Sequence, residues 1–338
     1  MRTLRNRFIG GTKLLPVLLA FAWTMTSCDT SEIADCFEGF RLRVVVDSSE
    51  SQTDPNWLGE GEMEDVMLYV FDENEILIDM FPTEVGKVEL LYYPDAETLH
   101  VVSTANVDRQ KLQVTELTPG VTRLQQAEIT LLRCTDYLEH DCYDHPTDIF
   151  SGKLSAQNVD YNGIIDLPIR RKTAAVMVRV KGMRDYLKAY DAADDDFRVV
   201  LSTKYNRMDF NGNCSAVRAD NDYPVSYELT GLSRTMYEKE YFEFPGQLSH
   251  DKTDYIRTIS TDEGSAVSVY IYHKDRLITE NPITQHADGT PILVKNDLLH
   301  VILIEFGQGG EGDYGKITIR VKEASWNDVV PIEKEFGN

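Results

Sequence analysis

The chain has 338 residues, a length that accommodates about two domains. Hydrophobic residues make up 42% of it and charged residues 27%, which is typical of a folded globular protein rather than a disordered one. Its 34 Lys and Arg against 56 Asp and Glu give a formal net charge of −22. This balance argues against a nucleic-acid partner, and against attachment to anionic lipid by a polybasic segment, because both need clustered basic side chains.

The first 28 residues have the order of segments that is typical of a secretory signal. Four basic residues come first, and the ten-residue apolar run Leu14–Trp23 is too short to span a bilayer as a helix. Met25-Thr26-Ser27-Cys28 then resembles the bacterial lipobox, in which the Cys becomes the acylated N-terminus. We therefore predict a lipoprotein signal peptide at residues 1–27 and lipid on Cys28. The alternative is an ordinary secretory signal that happens to contain a Cys.

Cleavage after Ser27 removes four basic and no acidic side chains, so the mature chain carries a formal charge of −26. A chain this acidic is repelled by an anionic surface, and attachment to a membrane therefore has to come from covalent lipid. One acyl chain binds only marginally, whereas two or more bind stably. Residues 28–39 are polar and acidic, and are predicted to be a lipidated spacer before the first strand.

The chain from residue 40 to 147 is dominated by apolar–polar alternation, the pattern of half-buried strands. In Phe40–Val46 the residues Phe40, Leu42, Val44 and Val46 fall on one face. Arg109–Leu117 is the one segment here with a plausible helical turn. The predicted strands are Phe40–Val46, Val66–Phe71, Ile76–Met80, Val88–Tyr93, Thr98–Ser103 and Ala127–Leu132.

The same pattern continues from residue 148 to 338, with one short predicted helix at Met183–Tyr190. The predicted strands are Ile164–Ile169, Ala174–Val180, Phe197–Ser202, Tyr223–Leu229, Lys239–Phe244, Ala266–His273, Leu299–Phe306 and Ile317–Val321. Short strands at close spacing with little helix predict an all-β fold of sandwich type. Pro146 and the neighbourhood of Gly152 indicate a boundary between an N-terminal β-sandwich at 40–147 and a C-terminal β-sandwich at 148–338.

Four cysteines follow Cys28, and an even number in an exported chain is compatible with disulfides. Cys134 and Cys142 are close in sequence, and a bond between them would stabilise the fold by about 2.5 kcal/mol on the loop-entropy model. Free or differently paired cysteines are the first alternative. A zinc site that adds His140 and His145 is the second, although the spacing matches no familiar zinc signature. The pairing of Cys36 and Cys214 stays open.

No catalytic or cofactor-binding motif is present, and we predict neither an enzyme nor a bound cofactor or metal. Gly307–Gly310 lacks the Lys-Ser/Thr of a phosphate loop and is predicted to be a hairpin turn. Asp209, Asn211 and Asn213 match the first ligand positions of a calcium loop, with Asp220 at the twelfth. Because Cys214 replaces the Gly of that loop, the favoured interpretation is a polar hairpin.

Several segments, in this order, resemble the FimB/Mfa-like fimbrial anchor lipoproteins of Bacteroidota. These segments are Cys28, Cys36–Gly39, Phe40–Val46, Val66–Asp72, Asp148–Gly152, Arg170–Val180 and Trp326. The resemblance covers nearly the whole mature chain. It implies two tandem transthyretin-like β-sandwich domains and no catalysis. It also implies a place in the outer membrane at the base of a fimbria, with fimbrillin shaft subunits as partners and a role in limiting shaft length.

A different class of function is a surface lipoprotein that binds glycan or a host protein. Tyr270 and Tyr272 alternate with apolar residues in one strand, and exposed tyrosines of this kind could form a sugar-binding platform. Alternating tyrosines are more often simply one face of a sheet. The sequence therefore favours the fimbrial anchor and leaves the glycan-binding protein as its alternative.

Overall fold

The structure is a computed structural model that describes residues 39–47, 63–132, 143, 146–158, 161–181, 191, 197–203, 205–215, 225–230, 241–244, 256–274, 276–278, 281–286, 288–306 and 317–324. Within these residues the chain forms β-strands and one short 3-10 helix, Leu124–Gln126. The predicted all-β fold class is confirmed. No helix among the described residues is long and apolar enough to cross a membrane.

The strands before residue 172 are β1 Phe40–Val46, β2 Met67–Phe71, β3 Leu77–Pro82, β4 Val88–Leu91, β5 Thr98–Ala105, β6 Leu112–Val114, β7 Glu128–Leu131, β8 Phe150–Gln157 and β9 Tyr161–Arg171. Those after it are β10 Thr173–Lys181, β11 Phe197–Thr203, β12 Arg207–Asp209, β13 Cys214–Ser215, β14 Val225–Thr230, β15 Tyr241–Phe244, β16 Ile256–Ile259, β17 Ser265–His273, β18 Arg276–Leu277, β19 Leu293–Val294, β20 Leu299–Phe306 and β21 Ile317–Ala324.

Local sequence explains the first strands. β1 has the predicted bounds, and its alternation buries Phe40, Leu42 and Val44 while Arg41 stays exposed. The turn between β2 and β3 is fixed by Asp72, whose Oδ1 accepts the backbone N–H groups of Asn74 at 2.9 Å and Ile76 at 2.8 Å. An Asp that bonds to the backbone just after it is a common way to reverse a chain.

A seven-stranded sheet contains the strands in the order β3-β2-β5-β8-β9-β1-β4. The hairpin of β8 and β9 pairs only at its open end, where Phe150 lies opposite Arg171 and Ser151 opposite Arg170. Beyond that point β8 pairs only with β5, in antiparallel orientation. β9 pairs only with β1, in parallel orientation. The sheet therefore divides into two halves that face each other as a sandwich.

Three further sheets contain most of the later strands. One has β15-β10-β20-β21 with β16 on β10, and another has β14-β11-β17-β18 with β19 on β17. The third, in the order β13-β12-β7-β6, combines two strands from before residue 148 with two from after it. Both this sheet and the seven-stranded sheet cross the predicted boundary between residues 147 and 148, and the two-domain division stays a prediction.

Two buried cores result. One lies inside the seven-stranded sheet, between the two halves of the sandwich, and includes Phe40, Leu68 and Leu167. The other lies against the opposite face of β2 and β5 and reaches strands from both parts of the chain. Tyr69 of β2 and Phe210, which follows β12, meet there with ring centroids 4.7 Å apart. The second core is why the later strands pack onto the first sheet.

The sequence predictions fail at Arg109–Leu117 and omit six strands, β8, β12, β13, β16, β18 and β19. Arg109–Leu117 is not helical: Leu112–Val114 is a strand paired with β7, in which Leu112 is buried and Gln113 exposed. In a strand of three residues, the apolar–polar alternation is too short to distinguish a strand from a helical turn. β8 was not predicted at all, because Ser, Gly and Ala interrupt its apolar pattern. The predicted helix Met183–Tyr190 and the turn Gly307–Gly310 lie outside the described residues.

Candidate functional site

A cluster of buried charged side chains lies where β9 passes into β10. We call it the ionic junction and define it as Asp148, Arg171, Thr173, Arg257 and Asp297. Arg171 donates from Nε to Asp148 Oδ1 at 2.8 Å and from Nη1 to Asp297 Oδ1 at 2.9 Å. Arg257 Nη1 lies 3.0 Å from Asp148 Oδ1, and Thr173 Oγ1 donates to the same oxygen at 3.2 Å.

The junction is almost closed to solvent, since the side chains of Arg171 and Asp148 are 1% and 9% exposed. Two carboxylates face two guanidinium groups, so the formal charges balance. The guanidinium of Arg171 also lies 5.2 Å from the ring centroid of Phe150. Buried charges are tolerated when they are paired and hydrogen-bonded. The junction therefore holds β9 and β10 to β16 and to the segment before β20 in one arrangement.

Backbone geometry positions Asp148. Asn106 has a left-handed φ of 60°, and its Nδ2 donates to the backbone carbonyl of Asp148 at 3.3 Å. Its Oδ1 accepts the backbone N–H of Glu64 at 2.8 Å. Thr147 in turn donates its hydroxyl to the carbonyl of Asn106. Asn is one of the few residues that adopt this φ readily, and here one side chain bridges the segments before β2 and before β8.

A cleft of about 650 Å³ opens beside this bridge. Its lining includes the carboxylates of Glu64, Asp65 and Asp108, and an apolar part that includes Val107 and Tyr69. Burial raises the pKa of the Tyr69 hydroxyl above its ordinary value. The lining carries no nucleophile–base pair, and no metal-binding cluster occurs among the described residues.

β8 and β9 approach each other closely just where their pairing ends. A Cβ on Gly152 would lie 1.9 Å from the carbonyl oxygen of Pro168, so only Gly allows this approach. Asp47 donates its N–H to Ile169 O, which in a parallel ladder turns the backbone groups of Ile169 toward β1 and those of Pro168 away from it. The backbone groups of Pro168 therefore face Gly152 of β8, and no N–H of Pro168 is left unpaired there.

Most of the predicted cysteine sites lie outside the described residues: Cys28, Cys36, Cys134, Cys142, and the proposed zinc partners His140 and His145. The lipid on Cys28 and the Cys134–Cys142 disulfide stay predictions. Cys214 of β13 is a free thiol that donates to the carbonyl of Ser260 at 3.1 Å. Burial raises its pKa to about 12, which makes it an unreactive structural cysteine.

The calcium-like segment is a polar hairpin between β12 and β13. Asp209 Oδ1 accepts the backbone N–H groups of Asn211 at 2.9 Å and Asn213 at 2.8 Å, and its Oδ2 accepts Asn213 Nδ2. Gly212 takes a φ of 86° at the tip. Asn211 Oδ1 accepts Lys153 Nζ of β8 at 2.7 Å. The oxygens are thus used by the turn and by β8, and Asp220 lies outside the described residues.

Tyr270 and Tyr272 lie on one face of β17, as their alternation predicts. The two rings are nearly parallel, with an interplanar angle of 6° and centroids 6.4 Å apart. Both side chains are half-buried, while Val267, Val269 and Ile271 of the same strand are buried.

Sequence reasoning did not identify the ionic junction. Asp148 and the run Arg170–Thr173 stood out only because those segments resemble a family, and nothing pointed to Arg257 or Asp297. One signal was available. An Arg-Arg pair between two apolar strands is unusual, because a charged residue at a core position needs a partner.

The family model described as "Fimbrillin-A associated anchor proteins Mfa1 and Mfa2" matches residues 33–329. No curated protein matches the sequence. Solved structures do match. The fimbrial anchor protein Mfa2 from Porphyromonas gingivalis has 13% identity and a TM-score of 0.54, over 85% of this chain and 97% of that one.

Two further structures have a similar fold. A protein from Bacteroides thetaiotaomicron described as a candidate polysaccharide-binding protein has 12% identity and a TM-score of 0.57, over 85% of this chain and 96% of that one. A candidate adhesin from Bacteroides ovatus has 13% identity and a TM-score of 0.55, over 85% and 95%. At these identities the solved structures establish the fold alone. The family model covers most of the chain and therefore establishes the family.

Proposed function

The chain belongs to the family of fimbrillin-A associated anchor proteins, and from this premise we propose that it is the lipid-attached base of a fimbria on the outer membrane. The observation that carries the proposal is the family match over residues 33–329, which includes the described strands from β1 to β21. The family is one of anchor proteins rather than enzymes. The resemblance first noted in the sequence is thereby confirmed.

Attachment depends on Cys28. The apolar run before it is too short to span a bilayer, and a mature chain with a charge of −26 does not adhere to anionic lipid. The acyl chains on Cys28 then supply the attachment, each buried methylene contributing about 0.8 kcal/mol. Cys134 and Cys142 are proposed to form a disulfide, which a non-reduced digest would show as linked peptides.

The other partner is a fimbrillin shaft subunit. Strand addition joins subunits through main-chain hydrogen bonds along an open sheet edge. The seven-stranded sheet ends in β3 and β4, whose outer edges are the places for such addition. A base that receives the first subunit sets how many shafts begin and how long each becomes. The ionic junction supports this role, because it ties the first sheet to the later strands against a pulling force.

Immunogold microscopy of sheared fimbriae tests the proposed position. Antibody against this chain should label one end of each shaft, whereas antibody against the shaft subunit should label its length. If the antibody against this chain labels the whole shaft, the chain is a shaft subunit. If it labels neither end, the chain is not part of the fimbria.

A second candidate function, glycan binding, rests on the parallel rings of Tyr270 and Tyr272. Aromatic rings stack on sugar rings, and two nearly parallel rings 6.4 Å apart on one strand would contact a glycan together. A glycan array probed with the wild type and with the double variant Tyr270→Ala/Tyr272→Ala tests it. Binding that the double variant loses would favour this function, and no binding by the wild type would exclude it.

A further inference from the structure

The exposed apolar side chains of the described residues are concentrated on one face. Six large apolar side chains are exposed among the described residues, and four of them, Val88, Leu90, Tyr92 and Ile164, lie on this face. Their exposed fractions run from 41% to 52%. Val88 and Leu90 belong to β4, Tyr92 follows it, and Ile164 belongs to β9. Single exposed apolar residues are ordinary, but a contiguous group marks a contact surface.

Strand register makes this group contiguous. β1 lies between β4 and β9, and Arg41 of β1 is opposite both Leu90 and Ile164. In the next row Arg43 is opposite Val88 and Asp166. Neighbouring strands are about 4.8 Å apart, so the side chains in one row touch their neighbours. We call Arg41, Val88, Leu90, Tyr92 and Ile164 the outer patch.

Charge on this face is opposite to the balance of the whole chain. Within the two rows Arg41 and Arg43 stand against one carboxylate, Asp166, while the mature chain as a whole carries −26. At physiological salt a charge acts over about 8 Å, so a nearby surface responds to the face turned toward it rather than to the net charge. In these two rows an anionic surface therefore meets less repulsion than the net charge of the chain would give.

The predicted lipid attachment lies close by along the chain. Eleven residues separate Cys28 from Phe40, which gives a maximum reach of about 40 Å, and Arg41 is the second residue of β1. A lipid on Cys28 thus keeps the outer patch within about 40 Å of the bilayer. Such a tether raises the effective concentration of the surface, so that weak contacts become occupied.

We infer that the outer patch rests on the phospholipid headgroup layer to which Cys28 tethers the chain, an inference that depends on the proposed lipid attachment. Arg41 contacts lipid phosphate, as guanidinium groups commonly do. Tyr92 lies at headgroup depth, where Tyr is enriched in membrane proteins. Val88, Leu90 and Ile164 enter the boundary between headgroups and acyl chains. The patch thereby orients the sandwich and leaves its other faces free for the shaft.

Hydroxyl-radical footprinting tests the inference. The mature chain, residues 29–338, is tethered through an N-terminal hexahistidine segment to vesicles of phosphatidylcholine and phosphatidylglycerol that contain a nickel-chelating lipid. Oxidation of Leu90, Tyr92 and Ile164 should fall at least about threefold relative to the same chain free in solution, because bilayer contact removes water from them. Val121, which is 70% exposed and lies outside the patch, should be oxidised equally in both states.

Variants sharpen the result. Leu90→Ser/Ile164→Ser should restore oxidation of Tyr92 on vesicles, while the matched control Val121→Ser should leave its protection intact. Equal oxidation of the patch with and without vesicles would overturn the inference. So would protection that grows with protein concentration in the absence of vesicles, since that outcome assigns the patch to contact between copies. Because the tether replaces the lipid, these results do not depend on whether Cys28 is acylated.

Discussion

The ionic junction and the outer face of the same sheet each contain an Arg–Asp pair. One pair is buried and the other is exposed. At the junction Arg171 pairs with Asp148, and their side chains are 1% and 9% exposed. On the outer face Arg43 pairs with Asp166 at the same distance, 2.8 Å, with side chains 39% and 47% exposed. Distance alone does not separate the two pairs, but burial does.

The difference assigns the pairs different roles. Water screens the outer pair, and exposed pairs of this kind contribute little to stability. Removing one member of a buried pair leaves a charge without water or a partner, which is strongly destabilising. The inner pair therefore maintains the arrangement of the sheets, and the outer pair is part of a surface available for contact.

The largest expected effect follows from breaking the junction. Asp148→Ala leaves Arg171 and Arg257 facing each other in a buried site, and should lower the free energy of unfolding by about 3–5 kcal/mol. Urea denaturation followed by circular dichroism measures it. Asp166→Ala is the matched control from the outer face and should unfold like the wild type. Equal losses from the two variants would contradict the role of burial.

A smaller loss is expected beside the junction, at the divergence of β8 and β9. Gly152→Ala places a Cβ against Pro168 O and forces the two strands apart, at a cost of about 1–3 kcal/mol. Gly120→Ala is the comparison, because its φ of 77° is strained for Ala but nothing lies within 4 Å of the added Cβ. Denaturation midpoints should fall further for Gly152→Ala than for Gly120→Ala. The reverse order would mean that the close approach at Gly152 is relaxed in solution.

The smallest effect concerns titration on the outer face. The hydrogen bond from Arg43 lowers the pKa of Asp166. A lowered carboxyl pKa stabilises the fold above the unfolded-state pKa, and this contribution is lost as pH falls through the folded-state value. Arg43→Ala should move the midpoint of Asp166 upward toward its ordinary value in a carboxyl-carbon NMR titration, with only a small fall in melting temperature because the pair is exposed. An unchanged midpoint would show that the pair is open in solution.

The sequence predicted those parts of the fold in which alternation is long and apolar. β1 and β20 have the predicted bounds, and β17 differs by one residue. β1 and β17 show the alternating burial of strands that pack one face on a core. β8 was missed since its side chains are small and polar, and the strand forms through its partners β5 and β9. The junction was missed for a related reason: Asp148 and Asp297 are far apart in sequence, and only the fold brings both to Arg171.

Release of fimbriae from cells tests the central claim, attachment through lipid on Cys28, most directly. Cys28→Ala removes the acylated residue before β1, and Cys36→Ala is the matched control that removes a thiol from the same segment. Shaft subunit is quantified in the culture medium and on cells. We predict that Cys28→Ala shifts most of the shaft subunit to the medium, while Cys36→Ala keeps the shaft subunit on cells. Normal cell-bound fimbriae in Cys28→Ala would contradict the account.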